Sequence, residues 1–326
     1  MFLKDYISWI RKGYNLLQLI VSYSVSVILK RPLFPMNPFS VSIEPSNQCN
    51  LHCPECPTGN GSLIRPKQMM NWDLYTKIID ELAPNISNLI LYFQGEPLLH
   101  SKLPEMIRYA HAHKIYTMIS TNGQLVTKET AYNLVTSGLN RIIISIDGTT
   151  QDVYNQYRKG GNLEKVRDAI ILIAHWKKEL HTTHPHIEAQ FIVMQHNEHQ
   201  IHDFKKMVNQ LGADSARLKT AQIDWPNITH FVPKQTKFAR YKQNKQGNWV
   251  LKHRLKNRCW RQWSSAVITS NGDVLPCCFD KNGEYVFGNM KQASFREIWH
   301  NKKAVTFRNS ILHNRKQFEM CRNCTS

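Results

Sequence analysis

From residue 39 to 219, short apolar runs alternate with longer stretches in which apolar positions recur every three or four residues. The short runs read as strands: Ser40–Glu44, Asn88–Gln94, Ile115–Thr121, Arg141–Asp147, His186–Met194 and Ser215–Lys219. Helical periodicity covers Trp72–Leu82, Leu103–His113, Lys128–Ser137, Leu163–Lys178 and Glu198–Leu211 between them. Strands that alternate with helices of this length are the pattern of parallel βα units. The expected fold is therefore α/β, a partial (β/α)6 TIM-like barrel. Its chemistry should gather at the C-terminal ends of the strands.

The flanks break this rhythm. Residues 1–38 form a helical prefix that stops near Pro32, Pro35 and Pro38, since proline cannot continue a helix. Leu16, Leu17, Leu19, Ile20, Val21, Val25, Val27, Ile28 and Leu29 give it a broad apolar surface, interrupted by Gln18, Ser22, Ser24 and Ser26. Leu16–Leu29 is too short to span a hydrocarbon core of ~30 Å comfortably. The surface is expected to pack on the main domain, with peripheral membrane contact as the alternative. Residues 220–258 read as a basic linker. From Lys234 to Arg261 there are ten lysines and arginines and no acid, with Tyr241 and Trp249 interleaved. A solvated segment is expected there, with nucleic-acid or acidic-substrate contact as the sharper alternative. The remaining residues, 259–326, form a small cysteine-bearing unit.

Composition changes the picture in one respect. The chain has 326 residues, 42% hydrophobic and 20% charged, which is ordinary for a folded protein, but its formal net charge is +18. Such a balance favours an anionic partner: a phosphorylated or carboxylated substrate, nucleic acid or an acidic membrane. Eight cysteines stand at 49, 53, 56, 259, 277, 278, 321 and 324, and no small-residue cleavage site follows the apolar stretch of the prefix. A reducing cytoplasmic location is expected, where clustered cysteines bind metal rather than form disulfides.

Cys49-x3-Cys53-x2-Cys56 places three thiols on one short loop directly after the first strand. Three is one too few to close a tetrahedral site, and an open position is what catalysis at a metal requires. A partial zinc site is the simpler alternative. With its flanking segments the motif resembles the radical S-adenosylmethionine (SAM) superfamily over residues 39–219. That resemblance implies a 4Fe–4S cluster on Cys49, Cys53 and Cys56. Its open iron would chelate SAM, whose reductive cleavage gives a 5′-deoxyadenosyl radical. An electron donor such as flavodoxin or ferredoxin would be needed. The family usually has an aromatic residue before the last cysteine; here it is Glu55.

Further segments sit at successive strand ends. Gly95-Glu96-Pro97 looks like the family's glycine–glutamate motif, which meets the methionine amino group; a carboxylate suits an ammonium, and glycine permits close approach. Ser120 and Asn122 end the third strand, and Ser145 and Asp147 the fourth. The resemblance implies cofactor or substrate contact for these four. Arg158 resembles an arginine that pairs with the cofactor carboxylate, which a guanidinium can do with two hydrogen bonds.

A second cysteine set lies downstream. Cys259-x17-Cys277, with Gly272-x4-Cys277 inside it, precedes Cys321-x2-Cys324. Asn271-Gly272 is a hairpin signal that would present Cys277 from the returning strand. This region looks like the SPASM/twitch extension, a small α+β iron–sulfur domain, and implies an auxiliary 4Fe–4S cluster on Cys259, Cys277, Cys321 and Cys324. Zinc is the alternative for a four-cysteine cage. Cys278 is then spare, a packed thiol or an alternative ligand.

Together these features predict an enzyme that abstracts hydrogen from an unidentified substrate, with the auxiliary cluster assisting an oxidation. Only 38 residues precede the barrel, which favours a small anionic molecule over a peptide. The alternative is a non-catalytic iron–sulfur or zinc protein that binds nucleic acid through its basic segment.

Overall fold

The computed structural model describes residues 2–33, 36–223 and 228–325; Pro35 lies outside them. Six strands, β1 (Ser40–Ile43), β2 (Asn88–Ile90), β3 (Tyr116–Thr121), β4 (Arg141–Ser145), β5 (His186–Val193) and β6 (Ser215–Thr220), pair in chain order. Every pairing among them is parallel. Helices Trp72–Leu82, Leu103–Ala112, Lys128–Thr136, Leu163–Glu179 and Ile201–Gln210 connect them. Three start where the sequence supplies a cap: the side chains of Asn71, Thr127 and Asn162 accept hydrogen bonds from first-turn amides.

The apolar layer between strands and helices includes Ile78, Ile79, Leu89, Ile142, Ile144 and Phe191, all fully buried. Each such side chain contributes about 1.5–3 kcal/mol. Phe191 packs on Phe204 of the following helix, with ring centroids 4.8 Å apart. Strand alternation therefore turns Glu188 and Gln190 to the other face, the interior of the barrel.

The unit after residue 259 is continuous with this sheet. A short hairpin, β7 (Tyr241–Gln243) and β8 (Trp249–Leu251), comes first and stands apart. Then β9 (Ser265–Ile268) pairs in parallel with β1, Ser40 opposite Ser265, and β10 (Asp273–Leu275) and β11 (Gly288–Asn289) follow antiparallel. One nine-stranded sheet results, ordered β11-β10-β9-β1-β2-β3-β4-β5-β6. The expected turn at Asn271-Gly272 joins β9 to β10, with Gly272 at φ +93°.

Three expectations need correction. β2 ends at Ile90 rather than Gln94, because side chains take over the backbone partners: Ser42 Oγ donates to Tyr92 O, and Gln94 N donates to Glu44. The segment 220–258 is not all solvated linker. Tyr241 is buried, and its hydroxyl meets Ile223 N and O and Asn323 Oδ1. The prefix forms one helix, Phe2–Leu29, and packs on the domain through Leu19, Tyr23 and Val27, but most of its apolar surface faces outward. Lys12, Asn15, Ser22 and Ser26 are buried, whereas Ile10, Tyr14, Leu17, Val21 and Ile28 are more than half or nearly half exposed. The inward face is held by hydrogen bonds to loop backbone, so it does not need to be apolar.

Candidate cofactor site and second cysteine cavity

The cysteine loop leaves β1 through Glu44, which is fully buried. Its carboxylate pairs with both Nη atoms of Arg65, at 2.8 and 2.6 Å. It also accepts from Gln94 N and from the amide and hydroxyl of Ser270. One side chain thus ties the far arm of the loop, the end of β2 and the β9–β10 turn. Asn47 closes the loop's base, donating to Pro66 O at 2.7 Å and accepting from Gln68 N at 2.8 Å. Sequence reasoning missed Glu44, Arg65 and Asn47, since a lone polar residue at a strand end carries no pattern.

Two glycines allow the loop to fold so tightly. Gly95 has φ +78°, and a Cβ there would stand 2.5 Å from Ser46 O and 2.6 Å from Gln48 O. Only glycine fits that approach. At Gly59, in the turn Pro57–Asn60, a Cβ would meet Cys53 N at 2.6 Å. This second glycine was also missed; the run Thr58-Gly-Asn-Gly was its signal.

Cys53 is buried, and Cys49 and Cys56 are partly exposed. Burial pushes the Cys49 thiol up to about 11 and raises Cys53, where Arg158 opposes the rise. Leu51 N lies 3.4 Å and Asn122 Nδ2 3.8 Å from Cys49 Sγ, and Arg158 Nη1 lies 3.8 Å from Cys53 Sγ. Among the described residues, no group of three or more His, Cys, Asp or Glu stands close enough to hold a single metal ion. A four-iron cluster is bulkier than one ion and holds its thiolates further apart, so this sulfur-only set fits a cluster in its donors.

The residues singled out in the sequence converge on this loop. Glu96 is buried; Oε1 accepts from Thr121 Oγ1 and Leu98 N, and Oε2 from Asn122 N. Glu96 N donates to Gln48 O at 2.7 Å. Asn122 bridges from there to Asn50 Oδ1 at 2.8 Å. Asp147 is fully buried, accepting from Arg158 Nε at 2.6 Å and Ile192 N at 2.6 Å. Ser120 and Ser145 stand on the adjacent strands β3 and β4 near their C-terminal ends. Glu55, the unusual neighbour of Cys56, is buried.

The second set closes more completely. Cys259, Cys277, Cys321 and Cys324 are all buried and line one small cavity with Arg261, Gln262, Phe279, Arg315 and Met320. Helix Arg261–Ser264 follows the first cysteine, β10 delivers the second, and helix Glu319–Arg322 carries the third. Arg315 Nη2 donates to Cys324 Sγ at 3.1 Å. Burial pushes Cys321 up to about 11 and raises Cys259 and Cys277. Four buried sulfurs around one enclosed space, with an arginine to offset thiolate charge, fit an iron–sulfur cluster. Cys278 does not line the cavity. It is exposed rather than packed, and it accepts from Arg261 Nη1 at 3.1 Å. One cleft is lined by Pro57, the neighbour of Cys56, and by Phe279 and Met320, which also line the four-cysteine cavity.

Comparisons with known proteins agree with this chemistry. The model of the Radical SAM superfamily matches residues 43–183, and that of SPASM, an iron–sulfur cluster-binding domain, matches residues 259–325. The chain is 23% identical to the tungsten-containing aldehyde ferredoxin oxidoreductase cofactor-modifying protein of Pyrococcus furiosus, over 87% of this chain and 86% of that protein. It is 22% identical to the S-adenosyl-L-methionine-dependent 2-deoxy-scyllo-inosamine dehydrogenase of Niallia circulans, over 88% and 92%. Among solved structures, Streptococcus suis SuiB bound to S-adenosylmethionine superposes with a TM-score of 0.65 at 15% identity, covering 90% of this chain and 73% of that one. Neither matched domain is a nucleic-acid module, and the non-catalytic alternative gives way. The chain belongs to the radical SAM superfamily as an enzyme with a C-terminal SPASM-type domain, and its cofactors are a 4Fe–4S cluster, SAM and auxiliary iron–sulfur.

Proposed function

We propose that the enzyme oxidises a small anionic substrate by hydrogen abstraction. Cys49, Cys53 and Cys56 would hold the first cluster, and Cys259, Cys277, Cys321 and Cys324 the auxiliary one. When bound, the first cluster supplies the electron that splits SAM, and the radical released takes a hydrogen atom from carbon. Around that site the chain's own residues position and exclude. Gly95 and Glu96 lock the cysteine loop, and Asp147 fixes Arg158 beside Cys53. Ser120, Asn122, Ser145 and Arg158 are offered to the cofactor. An auxiliary cluster held by the four-cysteine cavity would supply an electron acceptor for the oxidation.

One observation carries the substrate class. The interior row formed by Ser145, Gln190 and Arg217 continues to Lys219, one step further along β6. Glu188 is the acid there, shared by Arg141 and, at 3.7 Å, Arg217. Positive charge is thus in excess. The buried Oε1 atoms of Gln94 and Gln190 lack a donor within the protein, as hydroxyl groups would supply. A phosphorylated or carboxylated polyol matches this lining better than a peptide. Ferredoxin or flavodoxin suits the reducing step, the location is cytoplasmic, and the N-terminal helix brings the enzyme to a membrane periphery.

Reduced enzyme, SAM and fractionated cell extract test this reading through substrate-dependent 5′-deoxyadenosine. Activity in the small-molecule fraction that an anion exchanger retains is the expected result, with substrate deuterium moving into the product. Activity confined to peptide fractions overturns the substrate class.

A further inference from the structure

The N-terminal helix is built inside out. On its inward face Lys12 Nζ donates to Lys114 O at 2.9 Å, and Asn15 Nδ2 to Asn37 O and Asn85 O at 3.1 and 3.2 Å. Ser22 Oγ donates to Leu33 O, and Ser26 Oγ accepts from Leu33 N. Leu19 is also inward, buried with Trp263 and Leu312, and Tyr23 and Val27 pack beside it. The outward face is Ile10, Tyr14, Leu17, Val21, Val25 and Ile28, exposed by between 36% and 76%. Their spacing of three or four residues draws one stripe along about five turns of helix. An apolar stripe facing water is costly, and a polar face buried on backbone carbonyls is an unusual exchange for it.

Charge identifies what covers the stripe. From Tyr6 to Ile43 the chain has no acid, and Arg11, Lys30 and Arg31 are exposed beside the stripe and at its end. The acid-free basic segment also reaches the helix. Trp260 meets Tyr23 edge-on at 5.1 Å, and Tyr23 packs with Leu19 on the inward side of the helix, so this corner lies across the helix from the stripe. Aliphatic side chains along one face, with exposed arginine and lysine beside it and at its end, match an anionic bilayer surface. A second copy of this chain would instead bring two basic rims together. Among the described residues no helix is long and apolar enough to cross a membrane, so the helix lies on the surface.

We infer that the stripe Ile10–Ile28, with Arg11, Lys30 and Arg31, docks the enzyme on anionic phospholipid. The contacts of the helix also set the orientation. Asn37, Asn85 and Lys114 precede the N-terminal ends of β1, β2 and β3, opposite the cysteine loop. The docked enzyme therefore presents its catalytic mouth away from the bilayer. This inference names the surface for the peripheral contact proposed above and is independent of the substrate.

Co-sedimentation of the reconstituted full-length enzyme with phosphatidylcholine vesicles, with and without about 30% phosphatidylserine, tests it. Binding should be at least about tenfold stronger to the anionic vesicles and fall at high salt. Leu17→Glu with Val21→Glu, both at exposed positions, should lose about tenfold or more while deoxyadenosine formation without lipid is unchanged. Lys30→Glu with Arg31→Glu should weaken binding to anionic vesicles selectively. Failure of the unsubstituted enzyme to bind anionic vesicles overturns the inference, as does equal binding by the Leu17/Val21 variant. A dimer that the same variant dissociates, without vesicle binding, assigns the stripe to a second copy instead.

Discussion

Arg158 joins the end of β4 to the cysteine loop: Nε donates to Asp147 Oδ2 at 2.6 Å while Nη1 lies 3.8 Å from Cys53 Sγ. Asp147 is fully buried and Arg158 nearly so, and the pair fixes a permanent positive charge beside Cys53. Arg158→Lys keeps the charge but loses the fork, and Asp147→Asn keeps the shape but loses the anchor. Each should lower 5′-deoxyadenosine formation by about 10–100-fold, the usual cost of disturbing a residue behind a metal ligand. Full activity in both variants would show that the pair is only structural.

Gly95→Ala places a methyl group 2.5 Å from Ser46 O at φ +78°. Left-handed backbone alone costs a non-glycine residue about 1–3 kcal/mol, and the collision adds to it. The midpoint of chemical unfolding should fall accordingly, and iron incorporation at the first site should drop while the second site still loads. Equal loss at both sites would mean general unfolding rather than a local defect.

Glu44→Ala leaves Arg65 without its counterion and Ser270 without its acceptor. Breaking a buried ion pair by removing one partner costs about 3–5 kcal/mol. Denaturant unfolding should show that loss, and limited proteolysis should open the chain near Arg65. The variant tests whether the C-terminal unit depends on the barrel for its position.

His196 supplies a pH dependence. Burial lowers its pKa below the usual histidine value; Asp147 opposes this and His199 adds to it. The unfolded chain therefore takes up a proton first as pH falls. Stability is complete above about pH 6.5 and declines below it, down to the depressed folded value. His196→Gln should flatten that decline, so that urea midpoints at pH 7.5 and 5.5 differ less than in the parent. Parallel declines would remove His196 from the account.

The barrel was legible because its period is local. Strands and helices from β1 to β6 follow the alternation closely, and the caps Asn71, Thr127 and Asn162 stand where the pattern begins. The cysteine spacing pointed to both sulfur sets for the same reason. What was not legible is non-local or depends on which side is covered. No pattern in residues 40 and 265 foretells that β9 pairs with β1. Glu44 and Arg65 meet only because the loop folds back. The prefix showed an apolar face, but periodicity does not say whether that face turns inward, and backbone carbonyls from three loops, at Asn37, Asn85 and Lys114, drew the polar face in. Cys278, adjacent to a ligand candidate, gave no sign that it would be exposed.

Anaerobic reconstitution tests the central claim most directly. Unsubstituted enzyme should bind about eight irons per chain, falling to about four in Cys321→Ser, because two four-iron clusters are expected. On reduction with SAM, both proteins should form 5′-deoxyadenosine. Zinc at both sites, with no cleavage of SAM after reduction, would contradict the account.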